Sequence, residues 1–384
     1  MDFSRFIHDR AHGIDASGIR RVFDLAASLK DPVNLSIGQP DFDVPEAIQD
    51  AAVEAIRGGQ NRYTQTQGTG PLRDRVAAEL AREFPDTLGP ALAAGDAGLL
   101  MTSGVSGGLM LALMACVGPG DEVLIPDPYF VMYKHLVTLA GATAVFVDTY
   151  PDFAVTPERL APHVTERTKL LLFNTPSNPT GVRASAAEAA AVAGFCAEKN
   201  ILLLSDEIYD VFAYGLEDAP FPSPLHATAD ALLLRGFSKT YGMTGWRLGY
   251  AAGPRPIVEQ MTKLQQYSFV CAPSMVQAAG VTALDTDMSS HVAAYATKRD
   301  RVVERLSPHY ELTAPGGAFY AFPKVPEHLG MTASQFVEAA VAKNLLIIPG
   351  SVFSQRDTHF RLSYACDEAM LERGLDVLVE LAGG

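Results

Sequence analysis

Between about residues 95 and 255, short apolar runs alternate with helix-patterned stretches, and this alternation limits the fold more than any other feature of the chain. The runs LLMTS, VLIP, TAVFV, KLLLFN, ILLLS, ALLLR and LGYAAG are the strand candidates. Near-continuous apolar strands separated by helices belong to sheets covered on both faces, so a mostly parallel α/β sheet flanked by helices is expected. One crossover is explicit: ASAAEAAAVAGFCAEKN lies between KLLLFN and ILLLS, with alanines that favour helix and a terminal Asn200 that stops it. Outside this block the character changes. Residues 1–45 hold the turn-rich GQPDFDVP, and from about residue 285 helices surround a few strands such as GAFYAFP and HFRLSYA. A chain of 384 residues exceeds what one compact core usually holds. The expected division is therefore a large domain over 46–284 and a smaller α+β domain built from 1–45 and 285–384 together.

Composition removes several classes of function. A formal net charge of −14 leaves no broad basic footprint for nucleic acid or for an anionic membrane surface, so any positive charge that matters is local. Cys116, Cys196, Cys271 and Cys366 are scattered without paired spacing, which suggests neither a disulfide framework nor a metal site. The start MDFSRFIHDR is charged where a signal peptide is apolar, so a cytoplasmic setting is expected. Residues 97–120 carry no charge and are long enough to cross a bilayer. A polar, glycine-rich break after LLMTS makes them a buried strand, a tight turn and a buried helix instead.

Four segments mix polar groups with strand ends. RGFSKTYGMTGWRLGY (Arg235 to Tyr250) combines hydroxyls and glycines with one lysine and two arginines. A lysine that reacts with carbonyls must lose its proton near neutral pH, which burial or a cation such as Arg247 favours; a lone lysine in such a loop is otherwise an exposed one. ILLLSDEIY places the carboxylate pair Asp206 and Glu207 directly after a buried strand, where α/β sheets bind ligands and where helix N-termini also gather acids. FNTPSNPTG reads as a turn after a strand. TSGVSGG (Thr102 to Gly108) is a strand-to-helix turn whose amides can cradle phosphate, or one that merely packs closely.

SKTYGMTGWRLGY resembles the lysine signature of the class I/II aminotransferases, pyridoxal 5'-phosphate (PLP) enzymes of fold type I, and the resemblance runs over nearly the whole chain. It implies that Lys239 forms the Schiff base with PLP and that Arg247, eight residues on, grips the cofactor phosphate. Arginine suits that task through its bidentate fork. Ser238, the amides of Val105 and Ser106 and the Ser106 hydroxyl would complete the phosphate site. Asp206 matches the family's partner of the pyridine nitrogen, while Tyr209 and Asn178 of the NPTG motif match the donors to the phenolic oxygen. Phe130, in DPYFVMY, stands where an aromatic residue stacks on the ring. Tyr63 matches a tyrosine that reaches the neighbouring subunit's phosphate, which implies a homodimer. Arg361, in HFRLSY, matches the grip on the substrate carboxylate, with the Gly38 amide as second contact and Ile19 in a closing lid.

The implied activity is ping-pong transfer of an amino group from an L-amino acid to a 2-oxo acid, with 2-oxoglutarate the expected acceptor. A PLP-dependent lyase on the same fold is the alternative, separable by product. A PLP-sensing regulator is disfavoured because only about 35 residues precede GQPDF, too few for a winged-helix domain. Some aspartate-specific relatives carry a lysine at the position of Ser106, which binds a distal carboxylate. Its absence here, with Gln39, Tyr129 and the LQQYSF segment as candidate pocket residues, suggests a neutral or aromatic substrate.

Overall fold

The computed structural model describes residues 1–15, 29–216 and 219–383. In chain order its strands are β1 (Val33–Asn34), β2 (Ala97–Thr102), β3 (Glu122–Asp127), β4 (Thr143–Asp148), β5 (Thr168–Asn174), β6 (Leu202–Asp206), β7 (Leu232–Gly236), β8 (Gly249–Pro254), β9 (Tyr320–Ala321), β10 (Leu345–Leu346), β11 (Ile348–Pro349) and β12 (Phe360–Ser363). Strands β2 to β8 form one seven-stranded sheet in the order β2-β8-β7-β6-β5-β3-β4. All seven apolar runs singled out in the sequence are therefore strands. Only β8 runs against the others, antiparallel to both β7 and β2. Apolar runs carry no signal for strand direction. Here the antiparallel pairing needs no crossover helix, so a short connection joins β7 to β8.

Side chains alternate across this sheet and both faces are buried. Leu170 and Leu172 of β5, Leu204 of β6 and Leu232 and Leu234 of β7 join one core, with the helices Gly104–Cys116 and Met132–Ala140. Leu171, Phe173, Leu203 and Leu233 join a second core, with the helices Gly70–Glu83 and Ala186–Lys199. The last of these follows the sequence signals closely. Ser185 Oγ accepts from the Glu188 amide while Glu188 returns a bond to the Ser185 amide, and Asn200 closes the helix with φ of 54°. The uncharged stretch after residue 97 becomes β2 and the helix Gly104–Cys116, and among the described residues no helix is long and apolar enough to cross a membrane.

The two ends of the chain meet. β1 pairs in parallel with β10, and the Ser363 amide donates to Leu35 O, so the residues leading to Gly38 are held beside β12. β12 lies between β11 and β9 in a three-stranded antiparallel sheet. Arg361 and Tyr320 ride on these short strands, over the carboxyl ends of β5, β6 and β7.

On the face of the large sheet away from that seam, Arg235 is buried among three carboxylates. It donates to both oxygens of Glu83 at 2.6 and 2.7 Å, to Glu207 at 2.8 and 3.0 Å, and lies 3.3 Å from Asp210. Burial pushes the Asp210 carboxyl up to about 6, against the pull of Arg235, and raises Glu207 as well. Removing one partner of a buried ion pair is costly because the others stay buried and uncompensated. Arg235→Met is expected to lower stability by about 3 kcal/mol at pH 8. The loss should be smaller at pH 5, where protonated carboxyls need no counter-charge. Urea unfolding at both pH values checks this, and equal losses would contradict it.

Candidate active site

Strand alternation decides which acid of the Asp206–Glu207 pair can act. Leu202, Leu204 and Asp206 share one face of β6, whereas Ser205 and Glu207 share the other. Glu207 is accordingly spent on Arg235, Ser205 and Ser223. Asp206 opens into a cavity of about 310 Å³ at the carboxyl ends of the strands. It is 3% exposed. Burial pushes its carboxyl up to about 6, opposed by the Tyr133 hydroxyl, which donates to Oδ2 at 2.7 Å, and by the Ile208 amide at 3.3 Å.

Lys239 enters from the turn after β7, on the single-turn helix Phe237–Thr240. Its amine donates to Gly38 O at 2.5 Å and lies 5.9 Å from the Tyr209 ring. Burial, then the positive charges of Arg361 and Arg247, pull this amine down to about 8, with Asp206 opposing. A group with that proton affinity holds a substantial neutral fraction near physiological pH.

At one end of the cavity the walls suit an anion. Gly104 opens the helix Gly104–Cys116 with φ of +66°, and a Cβ there would lie 2.7 Å from Arg247 Nη2. A Cβ at Gly249 would lie 2.9 Å from the Val105 amide nitrogen. These two glycines let Arg247 and β8 close onto the start of the helix. Arg247 itself takes a left-handed φ of 59° and donates to Thr244 O at 2.9 Å. Such backbone strain in a non-glycine residue persists only where surrounding structure enforces it. Ser106 and Ser238 line the same cavity, and amides at a helix start suit an anion such as phosphate.

At the other end stands Arg361, 1% exposed, sandwiched 4.6 Å from the rings of both Tyr320 and Phe353. Its Nη1 donates to Asn178 Oδ1 at 3.0 Å and its Nη2 to Ser36 O at 2.8 Å, while Nε has no partner among the described residues. Asn178 is fixed in turn, because its amide donates to Asn174 Oδ1 and Asn174 Nδ2 donates to Asp206 O, both at 2.9 Å. The Tyr209 and Tyr320 hydroxyls meet at 2.9 Å.

The cavity therefore brings together Gly38, Val105, Ser106, Phe130, Asn178, Asp206, Tyr209, Ser238, Lys239, Arg247 and Arg361, with Gln39 among its walls. Tyr63 is not brought to it and is 84% exposed. Ile19 lies outside the described residues. Tyr129 is buried elsewhere, accepting a bond from Gln355, and residues 264–269 do not line this cavity. Sequence reasoning missed Tyr133 and Tyr320. The first stands three residues after Phe130, at the start of the helix Met132–Ala140, which was a usable signal; the second comes from a remote strand and has none.

An amine for an aldehyde, a carboxylate for a ring nitrogen and a cradle for phosphate, all on one cavity, fit PLP. The model of the family "Aminotransferase class I and II" matches residues 30–378. The chain belongs to the class I and II aminotransferases. It is 36% identical to the "Putative aminotransferase YugH" of Bacillus subtilis (strain 168), over 96% of each chain. It is 34% identical to the "Aromatic-amino-acid aminotransferase 2" of Thermococcus litoralis, again over 96% of each. The aspartate aminotransferase from Thermus thermophilus, solved with maleate, superposes with a TM-score of 0.90 at 30% identity, over 98% of this chain and 99% of that one. The protein is thus a PLP-dependent aminotransferase, and amino-group transfer is its reaction.

For this aminotransferase the depressed amine of Lys239 sets a pH dependence. Only the neutral amine attacks an aldehyde, so the reactive fraction grows as pH rises through the folded-state value. The initial rate of PLP incorporation into the apoenzyme is expected to be half-maximal near pH 8. A midpoint near 10 would show that burial and the two arginines do not act on Lys239.

Proposed function

We propose that the enzyme runs two half-reactions in turn at Lys239, releasing a 2-oxo acid from a neutral or aromatic L-amino acid and then returning the amino group to 2-oxoglutarate. The reading is carried by one observation: a buried amine with lowered proton affinity shares its cavity with Asp206 and with two separately anchored arginines. When bound, PLP supplies an aldehyde that condenses with amines and a ring that draws electrons from the substrate Cα.

The chain's own groups divide the remaining work. Asp206, aimed by Tyr133, holds a proton on the ring nitrogen. Phe130, which lines the cavity, would cover one face of the ring. Tyr209 would donate to the phenolic oxygen, and so would Asn178 Nδ2, because the Asn178 oxygen is already taken by Arg361. Arg247, Ser238, Ser106 and the Val105 amide, which line one end of the cavity, would hold the phosphate. Arg361 and the Gly38 amide would hold the substrate carboxylate in the cavity that Lys239 shares. The Lys239 amine would take the proton from the substrate Cα and deliver it to the cofactor carbon that bore the aldehyde.

The same reading assigns 46–284 to a cofactor-binding domain and 1–45 with 285–384 to a smaller domain, a division favoured by the pairing of β1 with β10. It makes the enzyme a cytoplasmic homodimer in which Tyr63, exposed in one chain, reaches the partner's phosphate, with Ile19 in a lid. The names of the relatives divide between aspartate and aromatic substrates, and Ser106, in place of a lysine, favours the latter.

The test is a half-reaction screen in which each amino acid is mixed with the PLP form and the loss of visible absorbance is followed. Tyrosine and phenylalanine are expected to react faster than aspartate. Lys239→Ala, still able to bind PLP, should slow the fastest of these by about a thousandfold or more. A wild-type rate in that variant would overturn the assignment.

A further inference from the structure

Tyr320 touches both halves of the site. It sits on β9, paired with Ser363 of β12, and is 1% exposed. Its hydroxyl lies 2.9 Å from that of Tyr209, its ring lies 4.6 Å under the Arg361 guanidinium, and a Cβ on Gly38 would come within 2.8 Å of its oxygen. One side chain thus contacts the residue assigned to the cofactor's phenolic oxygen, the residue assigned to the substrate carboxylate and the backbone that accepts from Lys239.

We propose that Tyr320 is a positioning residue that donates its proton to the Tyr209 oxygen, turning the Tyr209 proton into the cavity, while its ring holds Arg361 in place. Proton counting sets the direction. Each phenol has a single proton, and either hydroxyl of the pair can donate. If Tyr209 gave its proton to Tyr320, none would remain for an oxyanion in the cavity. With an oxyanion in front of Tyr209, the order that leaves no acceptor unserved runs from Tyr320 to Tyr209 to the oxyanion. A donor that itself accepts a hydrogen bond is a stronger donor. Gly38 keeps this order open, since a side chain there would displace the Tyr320 hydroxyl. The ring acts separately: a buried guanidinium over an aromatic face gains electrostatic attraction and loses freedom to swing away from its ligand.

This inference rests on the assignment of Tyr209 to the phenolic oxygen, and its test separates the two. The holoenzyme and the variants Tyr320→Phe, Tyr320→Leu, Tyr209→Phe and the double Phe variant are titrated by the visible absorbance of the bound cofactor. Each is also measured for kcat, KM and affinity for 3-phenylpropionate, a carboxylate that cannot react. Tyr320→Phe keeps the ring and loses only the hydroxyl. Its absorbance midpoint is expected to rise by about 0.5, the worth of one modest hydrogen bond. kcat should fall while KM and 3-phenylpropionate binding stay near wild type. Tyr320→Leu should add a loss of carboxylate affinity of about threefold to thirtyfold. In the Tyr209→Phe background, Tyr320→Phe should have almost no further effect on the midpoint.

Three results would overturn the proposal. A midpoint unchanged in Tyr320→Phe but raised in Tyr209→Phe removes the relay and leaves the Tyr209 assignment standing. A midpoint unchanged in Tyr209→Phe removes that assignment and the relay with it. Equal effects of Tyr320→Phe with and without Tyr209 show that its hydroxyl acts by another route. If the Leu variant fails to fold, the Phe variants still decide the hydroxyl's role.

Discussion

Three cations converge on one cavity whose only carboxylate is Asp206 among the described residues, in a chain that carries a formal net charge of −14. Lys239, Arg247 and Arg361 are held there by backbone carbonyls, a side-chain amide and aromatic rings rather than by acids. Buried cations are ordinarily set against acids, as Arg235 is among Glu83, Glu207 and Asp210 on the far side of the sheet. The cavity does not cancel. Its uncompensated charge is what a phosphate dianion at one end and a substrate carboxylate at the other would neutralise, and it adds to burial in driving down the proton affinity of the amine between them. Binding and reactivity thus follow from one electrostatic arrangement.

The fold keeps that arrangement in place. Period-two alternation at the end of β6 sends Asp206 into the cavity and Glu207 to the opposite face, where Arg235 ties it to β7, four residues before Lys239. Gly104 and Gly249 let the Arg247 loop close against a helix start. The short strands near the chain ends bring Arg361, Tyr320 and Gly38 over the same opening. Three polar residues are braced by other side chains: Asp206 by Tyr133, Asn178 by Asn174, Tyr209 by Tyr320.

Much of this was legible in the sequence. The apolar runs located every strand of the large sheet because buried strands are apolar on both faces. The spacing of Lys239 and Arg247, and the order of Asn178, Asp206 and Arg361, carried the resemblance to the family that the comparisons then showed. What stayed hidden has physical reasons. Strand direction leaves no trace in an apolar run, so the antiparallel β8 could not be foreseen. Tyr320 belongs to the site only because β9 and β12 fold across it, a contact between residues 111 apart in the chain. Tyr129 resembles a pocket residue in sequence but points into the core, where Gln355 meets its hydroxyl.

The proposed chemistry depends on Lys239 as the amine that carries the cofactor. Reduction of the PLP-loaded enzyme with borohydride, followed by proteolysis and mass spectrometry, makes that attachment permanent and locates it. The predicted result is one pyridoxyl-bearing peptide, modified at Lys239 in the segment from Arg235 to Tyr250. Attachment at any other lysine, or a reduced enzyme with no covalent cofactor, would contradict the central claim.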